Sequence, residues 1–207
     1  MTAVTFAKAS LRDRKKAATR KVIFETAVRL FAEKGFDSPT IDEIAAEAGT
    51  GKGTVYNYFS SKEEILVEFM VQVEARVQKR IGRFAEANAP LDRILSDLLR
   101  FQFRLKRPYL AFARVFLSQV IQNAAQLQGP TMRMQEVIDP PLRSLFERLR
   151  ERKLIHESVD IPAATHSFKC IHFGISCLWA MEGPPFRDSA RAIDQQVSDF
   201  ARRLERK

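Results

Sequence analysis

From Lys52 to Tyr58 the chain reads Lys-Gly-Thr-Val-Tyr-Asn-Tyr, which places one cation, one bare backbone position and four hydrogen-bonding side chains within seven residues. Val55 and Phe59 lie four apart and share the inward face of a helix expected over 52–58. A helix built only to pack gains nothing from Thr and Tyr on its outer face, where their helix propensity is modest. A helix that enters the major groove of DNA does gain, because phosphates and base edges both call for short, rigid hydrogen-bonding groups. Gly53, in the first turn, lets a phosphate approach the main chain closely.

Such a helix needs a second one to position it, and the preceding residues supply it. Thr40 and Glu43 have the spacing of a capping box that starts a helix at Ile41. Ile44, Ala45 and Ala48 give this helix a thin apolar face, and Gly49 ends it in the position where a left-handed conformation is wanted. Three residues later the next helix begins, the turn length of a helix-turn-helix. A second capping box opens a further helix at Ser61, Lys62, Glu63 and Glu64. Lys62 there stands in a first turn already positive by its dipole, so it calls for an anion, and a DNA phosphate would serve.

The charge balance agrees with a nucleic-acid partner. The chain has 34 basic and 25 acidic residues, a net charge of +9, and such an excess favours a polyanion. Residues 1–21 hold Lys8, Arg12, Arg14, Lys15, Lys16, Arg20 and Lys21 against Asp13 alone, just ahead of the helix-turn-helix. No apolar run reaches the length of a membrane span, about 18 residues, and the N-terminus lacks the apolar core of a secretory signal. Two cysteines, Cys170 and Cys177, do not make a disulfide framework. The expectation is a cytoplasmic protein with no membrane partner.

Everything reads helical. Apolar residues recur at threes and fours throughout, and no stretch alternates with period two. About nine helices are expected, near 12–34, 41–48, 52–58, 62–84, 90–106, 108–125, 131–153, 162–182 and 188–205, with a loop over 123–130. The fold class is therefore all-α. A DNA-binding domain over 1–62 is joined to a larger helical domain over 63–207.

Residues 23–66 closely resemble the DNA-binding domain of tetracycline-repressor (TetR/AcrR-type) regulators. The resemblance is carried by Ile23, Ala27, Leu30-Phe31, Gly35-Phe36, Thr40-Ile41, Ile44-Ala45, Ala48-Gly49, Gly53-Thr54-Val55-Tyr56, Tyr58-Phe59, Lys62-Glu63 and Leu66. It implies that Thr40, Lys52, Gly53, Thr54, Tyr56, Tyr58 and Lys62 occupy DNA-contacting positions. Tyr56 and Tyr58 would hold phosphates, while Lys52 and Asn57 face base edges. Gly51 departs from the family, which usually places a Ser or Thr cap there. The resemblance further implies a homodimer on a palindromic operator in double-stranded DNA, a repressor released by a small-molecule effector, and pairing through the last two helices.

The C-terminal half supports an effector site in its own way, being rich in aromatic and thioether groups. Phe103, Tyr109, Phe112, Phe116, Phe168 and Trp179 are candidate walls of an apolar cavity, and Gln119 and His172 candidate polar anchors, with Arg104, Asn123 and His166 behind them. The competing reading for each is ordinary core packing. Phe168, Ile171, Ile175 and Leu178 form a stripe that, with Ile193, Val197, Phe200 and Leu204 of the last helix, builds a four-helix dimer interface; the competing reading is an intramolecular core stripe. His166 and Cys170 stand four apart, but nothing completes a tetrahedral metal set, so no metal or cofactor is expected. No Gly-rich phosphate loop, nucleophile elbow or paired-carboxylate motif points to catalysis. A second reading of the whole, an architectural DNA-binding protein without an effector, differs only in lacking the cavity's role.

Overall fold

Glycines and prolines punctuate the chain into helices. The computed structural model describes residues 10–122 and 128–205, with 128–135 described by backbone only, and among these residues it has ten α-helices and no strand. The chain divides into two units, Met1–Leu66 and Val67–Lys207.

The first unit holds α1 (Leu11–Lys34), α2 (Ile41–Glu47), α3 (Lys52–Tyr56) and the start of α4 (Lys62–Gln78). A full capping box opens α1: the Ser10 hydroxyl accepts from the Asp13 N–H at 3.1 Å, and the Asp13 carboxylate accepts from the Ser10 N–H at 3.2 Å. Residues 11–18 are exposed, so Arg12, Arg14, Lys15 and Lys16 project from a solvated helix. Lys8 lies outside the described residues. Further along α1, Ile23, Phe24, Ala27, Leu30 and Phe31 turn inward and are buried, as are Ile44, Val55, Phe59 and Ile65. Each large apolar side chain so buried contributes about 1.5–3 kcal/mol, which is how three short elements hold together.

The helix expected over 62–84 is interrupted. After Gln78 the N–H groups of Arg80 and Ile81 bond back three residues, to Val77 and Gln78 at 2.9 and 3.1 Å, before α5 (Gly82–Ala85) begins. Gly82 is a weak helix former, and the break falls beside it.

The second unit continues with α6 (Leu91–Lys106), a 3₁₀ turn at Arg107–Tyr109, α7 (Leu110–Gln122), α8 (Gln128–Glu151), α9 (Ile161–Glu182) and α10 (Arg187–Glu205). The loop expected over 123–130 is shorter at its far end, because residues 128–130 are already helical; residues 123–127 lie outside the described residues. α10 packs on α6 and α9, and α8 on α9. The core between them is aromatic, with the Phe168 ring 5.7 Å from Phe146 and 5.8 Å from Phe200. Phe168, Ile175, Ile193, Val197, Phe200 and Leu204 are buried within this one chain, so for them the stripe is intramolecular core. Ile171 and Leu178 are only half-buried.

Candidate DNA interface and ligand cavity

In the first unit, local hydrogen bonds fix how α2 presents α3. The Thr40 hydroxyl accepts from the Glu43 N–H at 3.1 Å. The reciprocal half of the expected capping box goes elsewhere, since the Glu43 carboxylate pairs with Lys34. α2 ends in a Schellman motif: the Gly49 N–H bonds to the Ala46 carbonyl at 3.1 Å and the Thr50 N–H to the Ala45 carbonyl at 2.9 Å. Gly49 has φ of +64°, which a side chain would resist.

α3 then presents its polar residues outward. Val55 and Phe59 are fully buried, Lys52, Gly53 and Asn57 are exposed, Tyr56 is 48% exposed, and Thr54 and Tyr58 are half-buried. Helical structure ends at Tyr56, two residues short of the expectation. A Cβ on Gly53 would meet nothing within 4 Å, so no packing within the chain accounts for a glycine there. Gly51 at the N-cap makes no side-chain cap, in keeping with its departure from the family pattern.

Two lysines differ from expectation. The Lys52 Nζ lies 2.8 Å from Asp42 Oδ2 on α2, an exposed pair that raises the Lys52 pKa through a hydrogen bond and the Asp42 charge. Any contact from Lys52 to a base edge must therefore compete with Asp42. Lys62 has neutral partners within the chain: its Nζ donates to the Phe36 and Asp37 carbonyls at 3.0 and 2.9 Å and lies 5.0 Å from the Phe36 ring centre. These carbonyls take two of the three N–H groups of Lys62 and leave one for an anion such as a phosphate. The side chain is a strut that ties the α1–α2 connection to the start of α4. Glu64, expected to cap back onto Ser61, accepts from the N–H and hydroxyl of Ser60, both at 2.8 Å. Arg20 lays its guanidinium 4.5 Å from the Phe59 ring centre.

The second unit contains a cavity of about 500 Å³ walled mainly by α6, α7 and α9. Phe103, Phe116, His172 and Trp179 line it, and of the reserve anchors His166 does. Four expected members do not. Phe168 belongs to the closed aromatic core, Tyr109 and Phe112 pack against Phe69 at 5.1 and 4.7 Å, and Gln119 on α7 is not among the lining residues. Asn123 lies outside the described residues.

Sequence reasoning missed the charged groups of the cavity. Lys106, 8% exposed, pairs with Glu74, 3% exposed, at 2.6 Å, and its Nζ stands 3.4 Å from His172 Nε2. Against burial, which pushes its carboxyl up, the Lys106 charge holds Glu74 below its ordinary value. Burial, and then the Lys106 ammonium, push the His172 imidazole down to about 3, so it is neutral at physiological pH. Its Nε2 then accepts from Lys106. At the rim, Lys169 pairs with Asp139 at 2.7 Å. A signal for the inner pair does exist in the sequence: Glu74 follows Met70 and Val73, and Lys106 follows Phe103, each at the spacing of an apolar stripe where charge is out of place.

Among the described residues no group of three or more His, Cys, Asp or Glu is placed to hold a metal ion, and no helix is long and apolar enough to cross a membrane. His166 and Cys170 approach only each other, at 3.7 Å. Burial pushes the Cys177 thiol up, away from thiolate chemistry.

Residues 23–69 match the bacterial regulatory proteins of the tetR family. An uncharacterized HTH-type transcriptional regulator of Bacillus subtilis, YhgD, is 26% identical over 133 residues, which are 64% of this chain and 66% of that protein. The chain thus spans less than two thirds of the length of the curated relatives it matches. The fold is shared with Thermus thermophilus FadR, a TetR-family transcriptional repressor solved with lauroyl-CoA, at a TM-score of 0.73 and 20% identity over 87% of this chain and 92% of that one. It is shared also with Bacillus subtilis FadR solved with stearoyl-CoA, at a TM-score of 0.62 and 20% identity over 89% and 96%.

Proposed function

We propose that the chain is a DNA-binding transcriptional regulator of the tetR type, whose family model its residues 23–69 match, and that it works as a homodimeric repressor released from a palindromic operator by a small, largely apolar effector. The observation that carries the DNA reading is α3, whose apolar residue Val55 is buried while Lys52, Gly53, Tyr56 and, just after it, Asn57 are exposed. Thr40, Thr54 and Tyr58 complete the contact set, and the exposed basic turns of α1 add phosphate contacts that do not depend on sequence. Lys62 holds the α1–α2 connection in place and keeps one N–H for a phosphate.

The effector reading is supported by the cavity. Its walls are mostly apolar, its volume lies within the range of about 300–1,000 Å³ usual for small-molecule sites, and its inner cation is paired. The two FadR structures, solved with lauroyl-CoA and stearoyl-CoA, favour a fatty-acyl effector. A second copy is expected on α9, where Gly174 and Met181 are exposed and Leu178 half-exposed on one face, and a Cβ on Gly174 would meet nothing within 4 Å. Met181→Glu should then shift the sedimentation profile from dimer to monomer.

Selection of bound fragments from random DNA tests the core of the proposal. The expected outcome is a palindromic consensus whose half-sites lie about one helical turn apart, with binding to it weakened by lauroyl-CoA. Enrichment without a consensus, together with indifference to acyl thioesters, favours the architectural reading.

A further inference from the structure

A second pocket, of about 410 Å³, lies beyond the cavity in the same unit and shares Phe103 and Trp179 with it as common wall. Its chemistry is the opposite. The charges around the cavity cancel: Lys106 is held by Glu74, Lys169 by Asp139, and His172 is neutral. A charged group entering there would find no free counter-charge, so what enters is uncharged. The second pocket is lined by Arg100, Arg104 and Arg107 with one acid, Asp97. Asp97 is already held by Arg93 at 3.0 Å, and Arg100 by Asp194. Arg104 and Arg107 are exposed and have no carboxylate partner among the described residues. Arg107 instead stands 5.5 Å from the Phe186 ring centre, and Phe186 stacks on Trp179 at 5.3 Å and 17°.

Two guanidiniums without counter-charges, beside a flat aromatic wall, suit an anion with more than one negative charge and several acceptor oxygens, which is a phosphate ester. We propose that the arginine pocket formed by Arg100, Arg104 and Arg107 is a phosphate-binding subsite that takes the head group of an effector whose uncharged apolar part occupies the adjoining cavity. Phe103 and Trp179, touching at a ring separation of 5.4 Å, form the boundary between the two parts. The inference rests on the effector reading above and narrows it to effectors that carry an anionic head group beyond their apolar part.

The test uses the full chain and two probes with the same acyl thioester: lauroyl-CoA, which carries phosphates, and lauroyl-pantetheine, which carries none. Titration calorimetry is run on wild type and on an Arg104→Ser, Arg107→Ser double variant. Both positions are exposed, so the fold should survive, and circular dichroism checks that it does. Wild type should bind lauroyl-CoA about tenfold or more tightly than lauroyl-pantetheine, the size of at least one charge-assisted hydrogen bond. The variant should lose that advantage and keep its affinity for lauroyl-pantetheine. An alkyl phosphate, dodecyl phosphate, distinguishes a simple phosphate head from a nucleotide one: equal gain from both probes means that the phosphate alone is read. If wild type binds the two thioesters alike, or the variant keeps the preference, the subsite is refuted while the apolar-effector reading stands. If neither thioester binds, the effector reading falls and the subsite with it.

Discussion

Two lysine–carboxylate pairs of nearly equal length sit in opposite surroundings in this chain. Lys52 meets Asp42 at 2.8 Å with both side chains more than half exposed, whereas Lys106 meets Glu74 at 2.6 Å with both almost wholly buried. In the first unit water screens the pair, so it is weak and exchangeable, and a lysine held this way can leave its acid for DNA. In the second unit the pair lies in a low-dielectric interior, where neither member can be removed without stranding the other. The same chemistry thus makes a switchable contact on α3 and a fixed floor in the cavity. The contrast extends to the neighbours: α3 holds its cation by a water-screened pair at the surface, while both lysines that line the cavity are paired, one deep inside and one half-buried.

The largest effect should come from breaking the buried pair. Glu74→Ala leaves Lys106 charged and unpartnered, which should cost about 3–5 kcal/mol in denaturant unfolding. Asp42→Ala, its exposed counterpart, should change stability by no more than about 1 kcal/mol. Comparable losses in the two variants would erase the distinction.

The buried site should also show itself in pH dependence. His172 titrates at 6.5 in an unfolded chain but at about 3 in the fold. Between those values the unfolded chain takes up a proton that the folded chain does not. Its contribution to stability is therefore complete above 6.5 and declines as pH falls toward 3. Glu74, held low, adds a further loss below its ordinary value of 4.5. His172→Gln should flatten the fall in melting temperature across the acid limb; an unchanged slope would show that His172 does not titrate as its surroundings require.

On the exposed side, Lys52→Ala and Tyr56→Phe should each weaken operator binding by about 1–3 kcal/mol while leaving the melting temperature nearly unchanged. The smaller effects sharpen the same point. Thr40→Ala should cost about 1 kcal/mol of stability through loss of the α2 cap. Asp42→Asn should tighten DNA binding slightly, by less than about 1 kcal/mol, because it releases Lys52 and removes a carboxylate from beside the phosphates. Weaker binding in Asp42→Asn would mean that Asp42 positions Lys52 rather than competing for it.

The helix-turn-helix was legible because its signals are local. Thr40, Gly49 and the inward pair Val55 and Phe59 each act within one or two turns, and the caps and faces fall where spacing puts them. Lys62 shows the limit: the helix dipole did call for a partner, but the carbonyls of Phe36 and Asp37 that accept from it are 26 and 25 residues away. The cavity depends on such distant meetings throughout. Phe103 and Trp179 share a wall only because α6 and α9 pack in the same unit, and an aromatic residue reads alike whether it faces the cavity, as Phe116 does, or the closed core, as Phe168 does. Glu74 and Lys106 were hidden by the habit of reading charge as surface, although their places on apolar stripes marked them. Gly82 likewise carried the break between α4 and α5, which the strong periodicity around it masked.

Occupancy of the cavity and occupancy of DNA should oppose one another, and reciprocal titration measures that opposition. The affinity of lauroyl-CoA is measured on the free protein and on the protein saturated with its selected operator, and operator affinity is measured with and without lauroyl-CoA. Coupling of the usual size, about 1–3 kcal/mol, predicts that each ligand weakens the other by one common factor of about 5–150. Tight binding of lauroyl-CoA that is the same with and without operator would leave a cavity that fills without a signal, and no effector-controlled repressor.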